Sequence, residues 1–164
     1  MSTLEAKKQK ILNFVGPVAA VVTPFDADGN LNISQIVPYS KHLVRIGIKG
    51  VYIAGTTGEG YSLSFDERIA LIEAWRYALD KLPESEKLLA IVNVSTTVVR
   101  DAYRLAAKVE ELGFDGVALL PPIYYTVTKR EQLIGYLTPI LEQAPKTPFL
   151  YYHIPSHSGE LKCK

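Results

Sequence analysis

The sequence predicts an α/β domain with a parallel β-sheet. Three observations favour this fold class: short apolar runs rich in β-branched residues recur along the chain, helically periodic segments separate them, and the alternation repeats at intervals of roughly thirty residues. A helix that joins two strands of one sheet in this way forms a right-handed crossover between parallel neighbours. With 164 residues, 48% of them hydrophobic, the chain is long and apolar enough to bury a sizeable core.

Five strands are predicted from the apolar runs. Strands of a parallel sheet are buried on both faces, so they show continuous apolar runs instead of an alternation with polar residues. The runs span residues 18–22, 51–54, 88–92, 117–120 and 149–152.

Four helices are predicted between these strands, each from apolar residues three or four positions apart. Their apolar faces include Ile33, Ile36, Val37 and Val44 in the first helix, Leu71, Ala74, Trp75, Ala78 and Leu79 in the second, Ala102, Leu105, Ala106, Val109 and Leu112 in the third, and Leu133, Ile134, Leu137, Ile140 and Leu141 in the fourth.

Several helix ends are marked by residues that cap helices. Ser64, with Glu67 three residues later, forms the pattern of a capping box, and Thr128 is the predicted cap of the fourth helix. Gly47 and Gly113 stand where the first and third helices should end, because glycine readily adopts the left-handed conformation of a helix C-terminus.

Two prolines fall inside helical patterns. Pro38 lies in the first helix and Pro139 in the fourth. Since an internal proline kinks a helix or removes a turn, the apolar pattern does not fix the boundaries of these two helices.

Two closures of the sheet fit this pattern, an open doubly wound sheet or a (β/α)8 barrel. Periodicity does not distinguish them, and a complete barrel takes about 250 residues, so five units would fill only part of one. The predicted organisation is an N-terminal extension over residues 1–14, a partial barrel over 15–155 and a tail over 156–164.

Composition excludes several classes of partner. Lysine and arginine number 18 against 17 aspartate and glutamate residues, so no net charge favours nucleic acid or an anionic membrane. A small neutral or acidic ligand is expected instead. The single cysteine, Cys163, cannot form an internal disulfide, and the polar N-terminus resembles neither a secretory signal nor a membrane span. These features favour the cytoplasm.

In either closure, the functional site lies beyond the carboxyl ends of the strands. The second strand runs into the glycine-rich segment 55–60, in which the hydroxyls and amides of Thr56 and Thr57 can converge on one carboxylate. A plain turn is the alternative. The segment has neither the lysine nor the glycine spacing of a nucleotide-binding loop, so phosphate binding is not expected.

Paired tyrosines follow two other strands. Tyr124 and Tyr125 come after the fourth strand, and Tyr152 ends the fifth. Most tyrosines facing a core are packing residues, but one at a strand end can exchange a proton with a substrate oxygen. His153 and His157 are too few for a zinc site, because a catalytic zinc takes three protein ligands, so no metal is predicted.

These motifs together resemble the dihydrodipicolinate synthase and N-acetylneuraminate lyase family of Schiff-base aldolases. The resemblance rests on the segments 55–59, 62–64 and 67–68, followed at the proper distance by 152–155, and it covers residues 16–159. It implies a (β/α)8 barrel, often tetrameric, in which a lysine on the sixth strand forms an imine with a 2-oxo acid. No cofactor is implied.

The resemblance also implies a role for four residues. Thr56 and Thr57 would bind the substrate carboxylate and relay a proton, Tyr152 would be the general acid/base, and Tyr124 would lie near the relay. At the end of the fifth strand, members of the synthase branch have a sequence similar to Y-N-V-P-S-R-T-G. An arginine stands there at the position where this chain has His157. A neutral side chain there is similar to the sialic acid lyase branch, which splits N-acetylneuraminate into N-acetylmannosamine and pyruvate. A 4-hydroxy-2-oxoglutarate aldolase or a dihydrodipicolinate synthase is the alternative.

The chain departs from the family in one respect. The family lysine stands roughly thirty residues beyond the position of Tyr152, and this chain ends sooner. Lys162 and Lys164 are expected to lie in the tail and not to replace it. Residues 1–164 are therefore expected to be inactive alone, or to be a non-catalytic truncated product. The first and fifth strands would expose unpaired edges, so a stable closed barrel is not expected.

Overall fold

The computed structural model describes residues 3–158 and shows one parallel sheet with the five predicted strands. The strands are β1 (Val18–Ala20), β2 (Gly50–Ile53), β3 (Leu89–Asn93), β4 (Gly116–Leu119) and β5 (Phe149–Tyr151). The helices are α1 (Thr3–Leu12), α2 (Ile36–Arg45), α3 (Phe65–Asp80), α4 (Val99–Glu111), α5 (Arg130–Leu141) and α6 (Pro155–Ser158). Cys163, Lys162 and Lys164 lie outside the described residues, as does the side chain of His157.

The order of the strands distinguishes between the two closures. Each described strand pairs in parallel with the next along the chain, in the order β1-β2-β3-β4-β5. A doubly wound sheet reverses its order at a switch point, whereas a (β/α) barrel adds each strand beside the previous one. The sheet therefore has the topology of a barrel.

Alternation along the strands divides the core into two layers. One set of side chains, including Val51, Val92 and Leu119, packs between the sheet and the helices. The opposite face carries a smaller cluster of Leu89, Ile91 and Ala118, against which Tyr52 and Leu150 pack. Successive side chains of a strand point to opposite faces. Asn93 and Tyr152, two positions from Ile91 and Leu150, therefore follow the inner face.

The predicted helix ends are mostly confirmed. The Ser64 hydroxyl accepts a hydrogen bond from the Glu67 amide at 3.3 Å, and the Glu67 carboxylate accepts one from the Ser64 amide at 2.8 Å. Gly47 and Gly113 end their helices with φ of 89° and 74°. The prediction for Thr128 was wrong by one residue, because α5 has its N-cap at position 129.

Both prolines lie inside α-helices of the structure. Pro38 is the third residue of α2, where a backbone N–H has no partner within the helix in any case. Pro139 lies inside α5, which continues to Leu141. The boundaries that the apolar pattern left open are thus Ile36 for the start of α2 and Leu141 for the end of α5.

The helix α1 was not predicted. None of its residues is buried, and Lys7 and Lys8 stand between Leu4 and Ile11, so no continuous apolar face marked it in the sequence. The helix is attached by cations, since Lys7 Nζ donates to the Phe114 carbonyl at 2.6 Å and Lys10 pairs with Asp115 at 2.6 Å. Ile11 packs on the inner cluster. Because Phe114 and Asp115 precede β4, α1 lies at the amino ends of the strands, opposite the candidate site.

Within residues 3–158, every helix is too short or too polar to traverse a lipid bilayer.

Candidate functional site at the carboxyl ends of the strands

The glycine-rich loop after β2 is held in one close-packed conformation. Ala54 and Glu59 adopt left-handed backbone conformations with φ of 55° and 54°. A Cβ atom on Gly60 would stand 2.0 Å from the Ala54 carbonyl oxygen, and one on Gly58 would meet the Val21 carbonyl oxygen at 2.8 Å. Thus the loop needs both glycines, and its backbone conformation is strained at two other positions.

This loop forms one wall of a cavity of about 260 Å³, here called the mouth cavity. Thr56 lines it, and Thr57 is its exposed neighbour. Other lining residues come from the next part of the loop, from the end of β3 and from the segment after β4, and they include Glu59, Tyr61, Ser62, Asn93 and Ile123. The cavity therefore lies at the edge where the sequence predicts the site.

A hydrogen-bond network at the end of β3 forms the floor of this cavity. Asn93 is buried, and its Nδ2 donates to the Tyr52 hydroxyl at 2.9 Å. Its Oδ1 accepts from the Ser95 amide at 2.8 Å. The Ser95 hydroxyl in turn accepts from the Leu120 amide at 2.8 Å. The network links β2, β3 and the residue that follows β4.

A buried arginine supports the same floor. Arg68 of α3 is only 2% exposed, and its guanidinium donates to the carbonyl oxygens of Asn93 and Ser95. Burial lowers the pKa of Arg68 to about 10, which leaves it charged at neutral pH. Arg68 therefore contributes positive charge behind the cavity without a salt bridge among the described residues.

Two tyrosines near this floor have raised pKa values. Burial raises the pKa of the Tyr52 hydroxyl, although the hydrogen bond from Asn93 lowers it. Burial also raises the pKa of Tyr61, while Ser95 and the charge of Arg68 lower it. Neutral hydroxyls can both donate and accept hydrogen bonds.

A second cavity of about 470 Å³ adjoins the first and shares Ile123 with it. Tyr124 and Tyr125 line this cavity with Thr96 and Tyr136, and their two rings meet edge-on with centroids 5.0 Å apart. Both tyrosines are about four-fifths exposed, at 80% and 81%. Tyr124 is thus at the same edge as Thr56 but lines the neighbouring cavity.

Tyr152 immediately follows β5. Its ring meets that of Tyr52 edge-on with centroids 5.4 Å apart, and its side chain is 36% exposed. Tyr151 stacks on His153 at 5.6 Å. The contact with Tyr52 connects Tyr152 to the network beneath the mouth cavity.

The four residues singled out in the sequence, Thr56, Thr57, Tyr124 and Tyr152, all follow the carboxyl ends of strands. Their direct proximity stays a prediction. Four residues of the site were not predicted as site residues, namely Asn93, Tyr52, Tyr61 and Arg68. The signal for the first two was present, because Tyr52 and Asn93 are polar interruptions of otherwise apolar strands.

Comparisons with known proteins agree with this architecture. N-acetylneuraminate lyases of Pongo abelii and Homo sapiens are 38% and 37% identical to this chain over 146 residues, which is 88% of this chain and 44% of each relative. The solved structure of Proteus mirabilis N-acetylneuraminate lyase superposes with a TM-score of 0.81 at 31% identity, over 88% of this chain and 47% of that one.

The matched length defines what is shared. This chain spans less than half the length of those relatives, and its five strands correspond to part of a (β/α) barrel. The dihydrodipicolinate synthetase family matches residues 13–162, which include all five strands and every loop of the candidate site. The chain belongs to the dihydrodipicolinate synthetase family.

Proposed function

We propose that these residues form the carboxylate-binding and proton-transferring part of a Schiff-base aldolase site for a small 2-oxo acid. The observation that carries the proposal is the mouth cavity, in which Thr56 on a rigid glycine-rich loop faces the end of β3. In this proposal, the hydroxyls and amides of Thr56 and Thr57 bind the substrate carboxylate.

The chemistry requires an amine that the described residues do not supply. Lysines line neither of the two cavities within residues 3–158. We propose that the amine comes from a lysine outside this range, which attacks the keto carbon and releases water to form an imine. The imine accepts the electron pair of the bond that breaks. Lys162 and Lys164 lie outside the described residues and are not proposed for this role.

Tyr152 is proposed as the general acid/base, and Tyr124 as a residue near the proton relay. A neutral phenol at a strand end can donate a proton to a substrate oxygen and receive it back. Tyr152 follows the inner face and contacts Tyr52, which supports its assignment to the reaction side of the sheet.

The proposed reaction is the cleavage of N-acetylneuraminate to N-acetylmannosamine and pyruvate. Support comes from the relatives that carry this name and from His157, which stands where the synthase branch has an arginine. An imidazole does not reproduce the bidentate grip of arginine on a second carboxylate. A homotetramer, which the family resemblance implies, is part of the proposal.

Borohydride reduction in the presence of pyruvate tests the imine step. The reduced imine is a stable adduct, detected by intact mass and located by peptide mapping. Residues 1–164 alone should give no adduct. The same residues joined to the later barrel units of the Proteus mirabilis relative should give one, on a lysine of those units. An adduct on Lys162 or Lys164 would overturn the assignment of the amine.

The branch is tested in the same joined protein. We expect it to cleave N-acetylneuraminate faster than it condenses pyruvate with aspartate semialdehyde. The reverse preference would favour the dihydrodipicolinate synthase alternative, and preferred cleavage of 4-hydroxy-2-oxoglutarate would favour that aldolase.

A further inference from the structure

The amide of Asn93 has a donor that the protein does not use. A side-chain amide carries two N–H donors on Nδ2. The orientation of this amide is fixed, because Oδ1 must face the Ser95 amide, from which it accepts a hydrogen bond at 2.8 Å. One Nδ2 hydrogen points to the Tyr52 hydroxyl at 2.9 Å. No acceptor within residues 3–158 takes the second hydrogen.

The Tyr52 hydroxyl also has a hydrogen that it does not donate to any residue within 3–158. Its oxygen accepts the hydrogen bond from Asn93, so its own hydrogen is free to donate elsewhere. Nothing in the described part of the chain accepts it. A tyrosine hydroxyl is protonated at neutral pH, and burial raises the pKa of Tyr52 further above that range.

The Asn93 donor stands at a cavity, and the Tyr52 hydroxyl is its hydrogen-bond partner. Asn93 is 3% exposed and lines the mouth cavity, opposite the threonine loop. An unused donor on a buried amide costs free energy unless a partner arrives, since a buried polar group without a partner has lost its hydrogen bond to water. An acceptor oxygen from a ligand in the cavity would satisfy it.

The chemistry of the pair selects the ligand atom. Both groups are neutral, and both present hydrogens, so they favour a carbonyl or carboxylate oxygen over an amine or a hydroxyl that must donate. The guanidinium of Arg68 binds the carbonyl oxygens of Asn93 and Ser95 from behind and adds positive charge on that side. An anionic ligand with several acceptor oxygens fits this wall.

We propose that Asn93, together with the Tyr52 hydroxyl to which it donates, forms a hydrogen-bond-donor subsite at the mouth cavity that binds an acceptor oxygen of a small 2-oxo acid. This subsite rests on the proposed function for the ligand class and adds a second wall to the threonine loop. Tyr52 has a second part in it, because its ring also contacts Tyr152 and holds that residue beside the bound ligand.

The test uses residues 1–164 and pyruvate as the probe. Side-chain NH₂ signals of Asn93 are identified in a ¹⁵N-correlated NMR spectrum by their loss in Asn93→Asp. Pyruvate should shift these signals. Asn93→Asp, which replaces the donor by a carboxylate of equal size, and Tyr52→Phe, which removes only the hydroxyl, should each weaken pyruvate binding roughly threefold to tenfold, as expected for one hydrogen bond.

Two further variants separate the possible outcomes. Tyr77→Phe, on the exposed side of α3, should bind pyruvate like the unaltered chain, and Thr56→Val should bind it less well. If Thr56→Val loses affinity while the Asn93 signals stay fixed and both subsite variants bind normally, the subsite is wrong and the proposed function stands. If the unaltered chain shows no pyruvate binding at millimolar concentration, the subsite is wrong, and adduct formation by the joined protein decides the proposed function separately. If a variant fails to give the NMR spectrum of a folded protein, the pyruvate-induced shift of the Asn93 signals in the unaltered chain decides whether the subsite exists.

Discussion

Tyr52 and Tyr152 meet edge-on across the inner face of the sheet, with ring centroids 5.4 Å apart. They come from β2 and from the residue after β5, so three strand spacings separate their origins. Edge-to-face aromatic pairs contribute about 0.5–1.5 kcal/mol beyond the area that they bury. The pair therefore couples the position of the proposed acid/base to the Asn93 network.

The first prediction concerns the Tyr152 hydroxyl. In the chain joined to the later barrel units of a relative, Tyr152→Phe should lower the rate of N-acetylneuraminate cleavage by about 10²–10⁴-fold, the usual contribution of a general acid/base. The ring contact with Tyr52 is kept, so folding should be unaffected. Steady-state kinetics check this, with Tyr77→Phe as the control. A normal rate in Tyr152→Phe would remove Tyr152 from the mechanism.

The second prediction concerns the threonine loop. Gly60→Ala should abolish pyruvate binding, because its Cβ would stand 2.0 Å from the Ala54 carbonyl oxygen, which belongs to the backbone and cannot move aside. Gly135→Ala is the matched control, since a Cβ at that position of α5 meets nothing within 4 Å. Pyruvate titration followed by NMR compares the two. Equal affinities would show that the loop conformation is not required.

The third prediction concerns the buried cation. Arg68→Met leaves the carbonyl oxygens of Asn93 and Ser95 without their donors, and each unpaired buried group costs about 1–3 kcal/mol. Local opening should therefore become more frequent at the floor of the mouth cavity. Hydrogen exchange of the Leu120 amide, which donates to Ser95 Oγ, should accelerate about tenfold or more, because about 1.4 kcal/mol corresponds to a factor of ten.

The control for this variant is Arg45→Met on α2. Arg45 is exposed and bonds to His42 on its own helix, so its loss should leave exchange of the Leu120 amide unchanged. Equal exchange rates in both variants would show that Arg68 does not support the floor.

The strands were predictable because buried parallel strands appear in the sequence as continuous runs of apolar residues. All five runs of apolar residues became strands, and the capping box at Ser64 formed as its pattern indicates. The choice of a barrel was not predictable from periodicity, because it depends on which strands pair. The strand order, which is a tertiary property, distinguished the barrel from the doubly wound sheet.

The floor of the site was missed for a related reason. Asn93 and Tyr52 are distant in sequence, and their contact follows from the register in which Tyr52 pairs with Ile91, two positions before Asn93. Only the pairing of β2 with β3 brings the two polar interruptions together. The helix α1 was missed because two lysine contacts and the packing of Ile11, and not a continuous apolar face, attach it to the domain.

The fourth prediction concerns alkaline pH. Burial raises the pKa of Tyr136 from 10.0 to about 12. As the pH rises through this interval, Tyr136 ionises first in the unfolded state, which then binds fewer protons than the folded state. Stability should therefore fall between about pH 10 and pH 12. Urea unfolding followed by the fluorescence of Trp75, the single tryptophan, measures the decline.

Tyr136→Phe removes this ionisation, so its decline over the same interval should be shallower. Some decline should persist, because burial also raises the pKa of Tyr52. An identical decline with and without Tyr136 would show that its hydroxyl is not desolvated in the folded chain.

The last prediction concerns the two outer strands. Among the described strands, β1 pairs only with β2 and β5 only with β4, so each presents one row of unpaired backbone groups. Val18 on β1 is 42% exposed, although its run has the apolar character of a buried strand. Such edges favour association with other strands. Residues 1–164 should therefore self-associate and unfold over a broad temperature range, which light scattering and thermal unfolding measure.

A charge at the edge tests the cause of this association. Val18→Lys should shift the chain towards smaller species, since a charged side chain on an edge strand opposes pairing with another strand. Tyr77→Lys, a charge on the exposed side of α3, should not. The free energy of unfolding of a domain is only about 5–15 kcal/mol, and two open edges reduce the contribution of the core to it. A monomer of residues 1–164 with one sharp unfolding transition would contradict the prediction, because the uncovered strands would then need no partner.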